Sequence, residues 1–246
     1  MQVFPLSEGV FTIGFDKIFI PFDLAVDKLE QRSRGSLLVE VQPFLVITND
    51  DVILLDTGLG FRLPNGSLQI HENIKALGYQ PEQVTKVLLS HLHKDHAGGV
   101  VTTDAGVTKT TFPNAVYYVY RPEANYALAN GAPSYEPADL EVLFASDQVV
   151  WLDGQEGRIN ETISFRHSGG HCPYHIVFLL EEGHDTLFFG GDEAPQHKQM
   201  KTKYIAKYDY DGKRALMLRE QWADEGKKSN WKFLYYHDIQ TPMEQF

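Results

Sequence analysis

The segment SHLHKDHAGG, residues 90–99, constrains this chain more than any other feature. It places three imidazoles and one carboxylate within six residues, directly after three apolar residues that predict the end of a β-strand. In an extended segment, His91 and His93 project to the same side, because side-chain orientation repeats every second residue. Asp95 and His96 follow where the chain is expected to turn, so they can face a second point. Four such groups would crowd one metal ion, whereas two adjacent ions would accommodate them.

Three further candidate ligands follow strand-like segments later in the chain. His171 lies in the turn-rich sequence SGGHCP, Asp192 ends the apolar sequence TLFFGGD, and His237 ends the apolar sequence WKFLYYH. Each would lie at a sheet edge, where a rigid scaffold holds loop-borne sites. The alternative is a polar corner whose histidines only form hydrogen bonds, and these additional ligands disfavour it.

Composition indicates a globular protein and excludes several classes of partner. A chain of 246 residues with 43% hydrophobic and 22% charged residues can bury a large core. The net charge of -11 argues against binding to nucleic acid or to an anionic membrane. We expect no signal peptide and no membrane span, and the single cysteine, Cys172, excludes an internal disulfide. These features predict a cytoplasmic protein.

The order of apolar and turn segments predicts two packed β-sheets with helices outside them. Strands are expected at 10–13, 17–20, 37–41, 44–48, 52–55, 149–152, 163–165, 176–180 and 187–189, and helices at 69–77, 123–130 and 214–225. Asn49-Asp50 supplies a hairpin turn. The fold class is therefore α/β, an αβ/βα sandwich of four layers in which two mixed sheets are flanked by helices.

Taken together, the motifs resemble those of the metallo-β-lactamase-fold hydrolases. The chain has H-x-H-x-D-H at residues 91–96, D-T-G at residues 56–58, and the later His, Asp and His in the family's order. The resemblance runs from about Val46 to His237. SHLHxDHAGG and the sequence YRPE at residues 120–123 are most similar to the acyl-homoserine lactone lactonase branch. The resemblance implies one metallo-β-lactamase-like domain over residues 1–246.

The same resemblance implies a ligand set for two divalent metal ions. By motif position, one ion would be held by His91, His93 and His171, the other by Asp95, His96 and His237, and both by Asp192. Asp56 is better interpreted as a carboxylate that orients a ligand. Zinc suits these donors, and manganese or iron can occupy similar sets.

The implied reaction is hydrolysis of a small-molecule substrate by a hydroxide that bridges the metals, opening a lactone or an ester. Asp95 and Asp192 are the predicted catalytic carboxylates. The sequence leaves open whether the protein forms a homodimer. Two other function classes are a phosphodiesterase or phosphotriesterase using the same two-metal site, and a binding module on a decayed site. The binding module is disfavoured because all seven predicted ligands are present.

Two features depart from the lactonase pattern. Lactonases of that branch commonly have a tyrosine three residues after the equivalent of Asp192, where this chain has Pro195, and Tyr204 or Tyr208 is a candidate replacement. The segment from Lys198 to Arg214 is also basic within an acidic protein. It is either a solvated face or a positive lip that attracts an anionic substrate, which keeps the phosphodiesterase open.

Overall fold

Two six-stranded mixed β-sheets form the centre of the fold in the computed structural model, which describes residues 1–245. The first sheet contains, in spatial order, β1 (Gln2–Pro5), β5 (Phe44–Ile47), β6 (Val52–Leu55), β7 (Lys86–Leu88), β10 (Val116–Tyr120) and β11 (Val149–Leu152). The second sheet contains β12 (Glu156–Arg158), β13 (Ile163–His167), β14 (Ile176–Glu182), β15 (Asp185–Phe189), β16 (Lys232–Leu234) and β17 (Met243–Gln245).

Smaller elements surround the two sheets. A small sheet is formed by β2 (Gly9–Ile13), β3 (Phe19–Pro21) and β4 (Leu37–Val41), and a hairpin by β8 (Val101–Asp104) and β9 (Val107–Thr110). The helices are α1 (Gln69–Ala76), α2 (Lys94–Ala97), α3 (Arg121–Asn130), α4 (Pro137–Phe144), α5 (His197–Lys201) and α6 (Gly212–Ser229). Three short 3₁₀ helices lie at Leu29–Gln31, Pro81–Gln83 and Gly191–Glu193. None of the helices in residues 1–245 combines the length and apolarity that a membrane span requires.

Three clusters of buried apolar side chains define four layers. Between the sheets, residues such as Phe44 and Leu88 of the first sheet pack with Phe178 and Phe189 of the second. The outer face of the first sheet is covered by α1, α3 and α4. The outer face of the second sheet is covered by α6, whose Trp222 is fully buried. This arrangement confirms the predicted αβ/βα sandwich.

Most predicted elements are present, with shifted ends. The hairpin after β5 closes as predicted, with Thr48 N donating to Asp51 O at 3.0 Å. The strand predicted at 17–20 begins two residues later, because Lys17 N donates to Gly14 O and residues 14–17 form a tight turn. β10 and α4 are not among the predicted elements. Both are buried in the core of the first sheet and its helices.

Candidate metal centre

All seven predicted ligands follow the ends of strands and converge between the two sheets. His91 and His93 come after β7, and α2 then carries Asp95 and His96. His171 lies between β13 and β14, Asp192 lies in the 3₁₀ turn after β15, and His237 follows β16. β7 and β16 belong to parallel pairs, whose carboxyl ends place side chains at a common edge.

Three imidazoles meet on one side of the centre. His93 Nδ1 lies 3.0 Å from His91 Nε2 and 3.1 Å from His171 Nε2. Three ring nitrogens this close together cannot all form hydrogen bonds with one another, because His93 Nδ1 can share only one proton. A shared cation is therefore the natural partner for this cluster.

A second group of donors lies beside the first. Asp95 Oδ2 is 3.4 Å from His237 Nε2 and 3.7 Å from His96 Nε2. These three residues, like the three imidazoles above, form a compact set of buried potential ligand atoms.

Asp192 lies between the two groups and faces both. Its Oδ2 is 3.2 Å from His171 Nε2, whereas its Oδ1 is 3.1 Å from the Nε2 atoms of both His96 and His237. One carboxylate thus presents a separate oxygen to each cluster.

The other ring nitrogens of four imidazoles are engaged with acceptors. Asp56 Oδ2 accepts from His96 Nδ1 at 2.8 Å and from Ser90 Oγ at 2.7 Å. Because Ser90 has used its only hydroxyl proton, its oxygen accepts from His91 Nδ1 at 3.1 Å. His171 Nδ1 donates to Asp209 Oδ1 at 3.0 Å, and His237 Nδ1 donates to the Glu40 carbonyl at 2.6 Å. In the neutral form of each ring, the nitrogen left to bind a metal ion is therefore Nε2, which faces the centre.

The buried polar atoms at the centre fit a metal site. His96 Nε2 and Asp192 Oδ1 are buried and 3.1 Å apart, yet within residues 1–245 neither has a partner in hydrogen-bond geometry. Although burial opposes charge, Asp192 and Asp95 raise the pKa of His96 to about 10, and His96 and His237 hold the pKa of Asp95 at about 2. The carboxylates therefore stay ionised and draw positive charge to this point.

Close packing holds the supporting groups in place. Gly191 has a φ of 48°, and a Cβ atom there would lie 2.7 Å from Ser90 Oγ. Glu193 accepts the backbone N–H groups of Gly170 and His171 at 2.5 and 2.8 Å, fixing the loop that carries His171. Tyr236 stacks on His96 at 4.0 Å between ring centroids.

Two residues beside the ligands have structural contacts instead. Cys172 is buried, and its thiol donates to Glu123 Oε2 at 3.6 Å. His175 pairs through Nδ1 with Ser168 Oγ at 2.9 Å, and its Nε2 accepts from Asp192 N at 3.1 Å. His175 therefore supports the loop and the backbone of Asp192 through hydrogen bonds.

A cleft opens onto the centre. Pro195 lines it, as does Tyr208, whose ring centroid lies 6.2 Å from that of His171. Tyr204 does not line it, so Tyr208 is the better of the two candidate replacements. Within the described residues, the lysines lining the cleft are Lys17 and Lys94, not members of the basic segment from Lys198 to Arg214. Of the two interpretations of the basic segment, this placement favours the solvated face.

The sequence analysis also missed the hydrogen-bond acceptors that orient His171 and His237. Asp209 is 38 residues from His171, and the Glu40 carbonyl is 197 residues from His237. No spacing rule connects such distant positions, and a backbone carbonyl leaves no signal in a sequence.

Comparison with known proteins identifies the family. The family model of the Metallo-beta-lactamase superfamily matches residues 39–227. The N-acyl homoserine lactonase of a Bacillus species is 24% identical over 226 residues, covering 84% of each chain. The N-acyl homoserine lactonase AttM of Agrobacterium fabrum is 43% identical over 122 residues, covering 44% of this chain and 40% of AttM. Our chain spans 40–43% of the length of the first three curated relatives that it matches.

Solved structures share the fold. A probable metal-dependent hydrolase from Staphylococcus aureus superposes with a TM-score of 0.79 at 20% identity, covering 99% of this chain and 91% of that one. AidC, described as a dizinc quorum-quenching lactonase, superposes with a TM-score of 0.73 at 19% identity, covering 99% and 89%. The chain therefore belongs to the metallo-β-lactamase superfamily and resembles its lactonase-like branch. This membership confirms the family resemblance that the motifs indicate.

Proposed function

We propose that this protein hydrolyses a lactone or an ester at a centre of two divalent metal ions, most simply zinc. His91, His93 and His171 hold one ion, and Asp95, His96 and His237 hold the other. The observation that carries the proposal is the position of Asp192, whose two oxygens face the two clusters separately. The relatives named as lactonases support the substrate class.

Bound there, two divalent ions would supply a hydroxide at neutral pH and polarise the substrate carbonyl. Overall, water adds to the carbonyl carbon, the ring C–O bond breaks, and the alkoxide takes up a proton to give a hydroxy acid. Tyr208 lines the cleft beside Asp192, and burial and Asp192 keep its pKa above the ordinary value. Its hydroxyl therefore keeps its proton at neutral pH and donates to the oxygen that gains charge.

Chelation tests this proposal. Removing metal should abolish lactone turnover, and adding zinc or manganese should restore it. The rate of the reloaded enzyme should rise with pH through about 7 and then level off, as ionisation of a metal-bound water requires. Hydrolysis by chelated, metal-free protein would contradict the proposal. So would inactivation by thiol-blocking reagents without loss of metal, because the Cys172 thiol contacts Glu123 and has no role in the proposed reaction.

A substrate panel separates this proposal from the phosphodiesterase alternative. The metal-loaded enzyme should open γ-lactones much faster than it hydrolyses bis(4-nitrophenyl) phosphate. The reverse order would assign the same centre to phosphoester hydrolysis.

A further inference from the structure

One wall of the cleft is separate from the metal centre and belongs to the small sheet of β2, β3 and β4. Its apolar side chains are Ile13, Phe19, Leu37 and Val39. This wall can bind the hydrocarbon part of a substrate whose carbonyl lies at the metals.

Lys17 comes from the turn between β2 and β3. Its φ of 58° is in the left-handed region, which is costly for a residue other than glycine. The turn is held by Lys17 N donating to Gly14 O at 3.1 Å and by Ile18 N donating to Asp16 Oδ1 at 3.2 Å. Lys17 is half-buried and lines both this cleft and a neighbouring cavity that also reaches His93 and His171.

Lys94 reaches the same cleft from a different part of the fold. It is the first residue of α2, and its backbone N donates to Ser134 O at 2.8 Å. Its side chain is half-buried and lines the cleft.

Neither lysine forms an ion pair in the part of the chain that the structure describes, whereas Lys75 and Lys86 pair with Glu72 and Asp51. Two half-buried lysines without ion pairs among the described residues therefore line one cleft in a protein of net charge -11. An anionic group bound in this cleft could accept charge-assisted hydrogen bonds from both.

We infer that the substrate carries an anionic group, a carboxylate or a phosphate, besides the bond that is hydrolysed, and that Lys17 and Lys94 bind it. The small-sheet wall holds the apolar segment between the two ends. This inference rests on the proposed function, because it presumes that the hydrolysed bond lies at the metal centre.

Three γ-lactones test the inference. One carries a propanoate chain on the ring, the second is its methyl ester, and the third has a phosphonate in place of the carboxylate. The wild-type enzyme should show a lower KM for the charged lactones than for the ester, and added salt should raise only the KM of the charged ones. Whichever charged lactone has the lower KM identifies the preferred anion.

Substitutions then assign the effect to the two lysines. Lys17→Met and Lys94→Met should each raise the KM for the preferred charged lactone about tenfold, equivalent to about 1.4 kcal/mol, and leave the KM for the ester unchanged. Lys17→Arg should restore most of the affinity. Lys109→Met, at an exposed lysine on β9 outside the cleft lining, is the matched control and should change neither KM.

Binding measured by calorimetry provides a readout independent of turnover. The probe is the cyclopentanone analogue of the propanoate lactone, which cannot be hydrolysed. Metal content is determined in parallel, because Lys94 is next to His93. Both Met variants should bind the probe more weakly than wild type, in metal-loaded and in chelated protein.

Equal KM values for the carboxylate and its ester in wild-type enzyme would overturn the inference and leave the proposed function standing. If no lactone is hydrolysed, the proposed function fails, and the calorimetry with chelated protein still decides whether the lysines bind an anion. Unchanged binding in both Met variants would then overturn the inference as well.

Discussion

The groups that orient the histidines differ chemically, although the histidines themselves are alike. A hydroxyl orients His91, carboxylates orient His96 and His171, and a backbone carbonyl orients His237. All four act as acceptors, so each fixes the same tautomer and directs Nε2 to the centre. The orientation of each ring is therefore set before any metal binds.

Metal retention should depend on Asp192 and not on Cys172. Asp192→Ala removes the carboxylate that faces both clusters, so we expect the purified variant to retain fewer metal equivalents than wild type. Cys172→Ser is the matched control, since this thiol contacts Glu123 and should leave metal content nearly unchanged. Metal analysis that finds the opposite order would show that the ligand assignment is wrong.

Asp209→Ala should weaken metal binding at His171. The variant loses the acceptor for His171 Nδ1, and loss of such a partner commonly costs about 10- to 100-fold in metal affinity. Competition with a chromophoric chelator measures the change. Asp224→Ala, at an exposed carboxylate of α6, is the control and should retain wild-type affinity. Wild-type affinity in Asp209→Ala would mean that the loop alone positions His171.

Tyr208→Phe tests the proposed hydroxyl donor. We expect kcat for lactones to fall about 100-fold with little change in KM, because the ring remains and only a donor to the developing charge is lost. Tyr204→Phe is the matched control, since Tyr204 is exposed and outside the cleft lining. An unchanged kcat in Tyr208→Phe would remove Tyr208 from the reaction.

At the scale of elements, the metal centre depends on how closely α2 approaches the turn after β6. Thr57 N donates to His96 O at 2.7 Å, and Thr57 Oγ1 donates to the same oxygen at 3.0 Å. Glu8, on the segment before β2, accepts the N–H groups of Leu59 and Phe61 and so holds the far side of this turn. These hydrogen bonds connect α2, the turn after β6 and the segment before β2.

Gly99→Ala should disrupt this approach. A Cβ atom at Gly99 would overlap the carbonyl oxygen of Thr57. Because this contact is with backbone, the neighbour has little room to move away. We expect a loss of about 3 kcal/mol in the free energy of unfolding, together with reduced metal content. Gly66→Ala is the control: it has positive φ but nothing within 4 Å, so it should lose less stability and keep its metal. Denaturant titration and metal analysis distinguish these outcomes.

At the scale of the whole molecule, the centre needs both halves of the sandwich. His91 to His96 come from the first sheet, whereas His171, Asp192 and His237 come from the second. The core between the sheets, with Phe44 against Phe189, therefore sets the distance between the two sets of ligands.

Buried carboxyls should make the stability of the chelated protein depend on pH. Burial raises the pKa of Glu123 from 4.5 to about 7 despite hydrogen bonds from Leu92 N and Tyr135. Between these values the unfolded chain loses a proton that the folded protein keeps, so this group makes stability fall as pH rises from 4.5 to 7. The effect is at most about 3 kcal/mol.

Glu123→Gln should therefore match wild type near pH 4 and exceed it in stability near pH 8, when both are chelated. Denaturant titrations at a series of pH values measure the difference. Glu141→Gln, at an exposed glutamate of α4, should leave the pH dependence unchanged. A constant difference between Glu123→Gln and wild type at all pH values would show that Glu123 does not titrate in this range.

The sequence alone determined the features that depend on neighbours along the chain. His91, His93, Asp95 and His96 are close together because they lie within six residues at a strand end, and apolar alternation predicts most strands. Strand and turn patterns also place His171, Asp192 and His237 at strand ends, which made the family resemblance visible.

Only the tertiary structure decided which distant groups meet. Asp209 faces His171, the Glu40 carbonyl faces His237, and Lys17 and Tyr208 line the cleft. These contacts depend on the packing of two sheets and their loops, where a shift of a few ångströms changes every partner. Local patterns carry no information about such distances, so the sequence alone could neither decide between the two interpretations of the basic segment nor place Lys17 at the cleft.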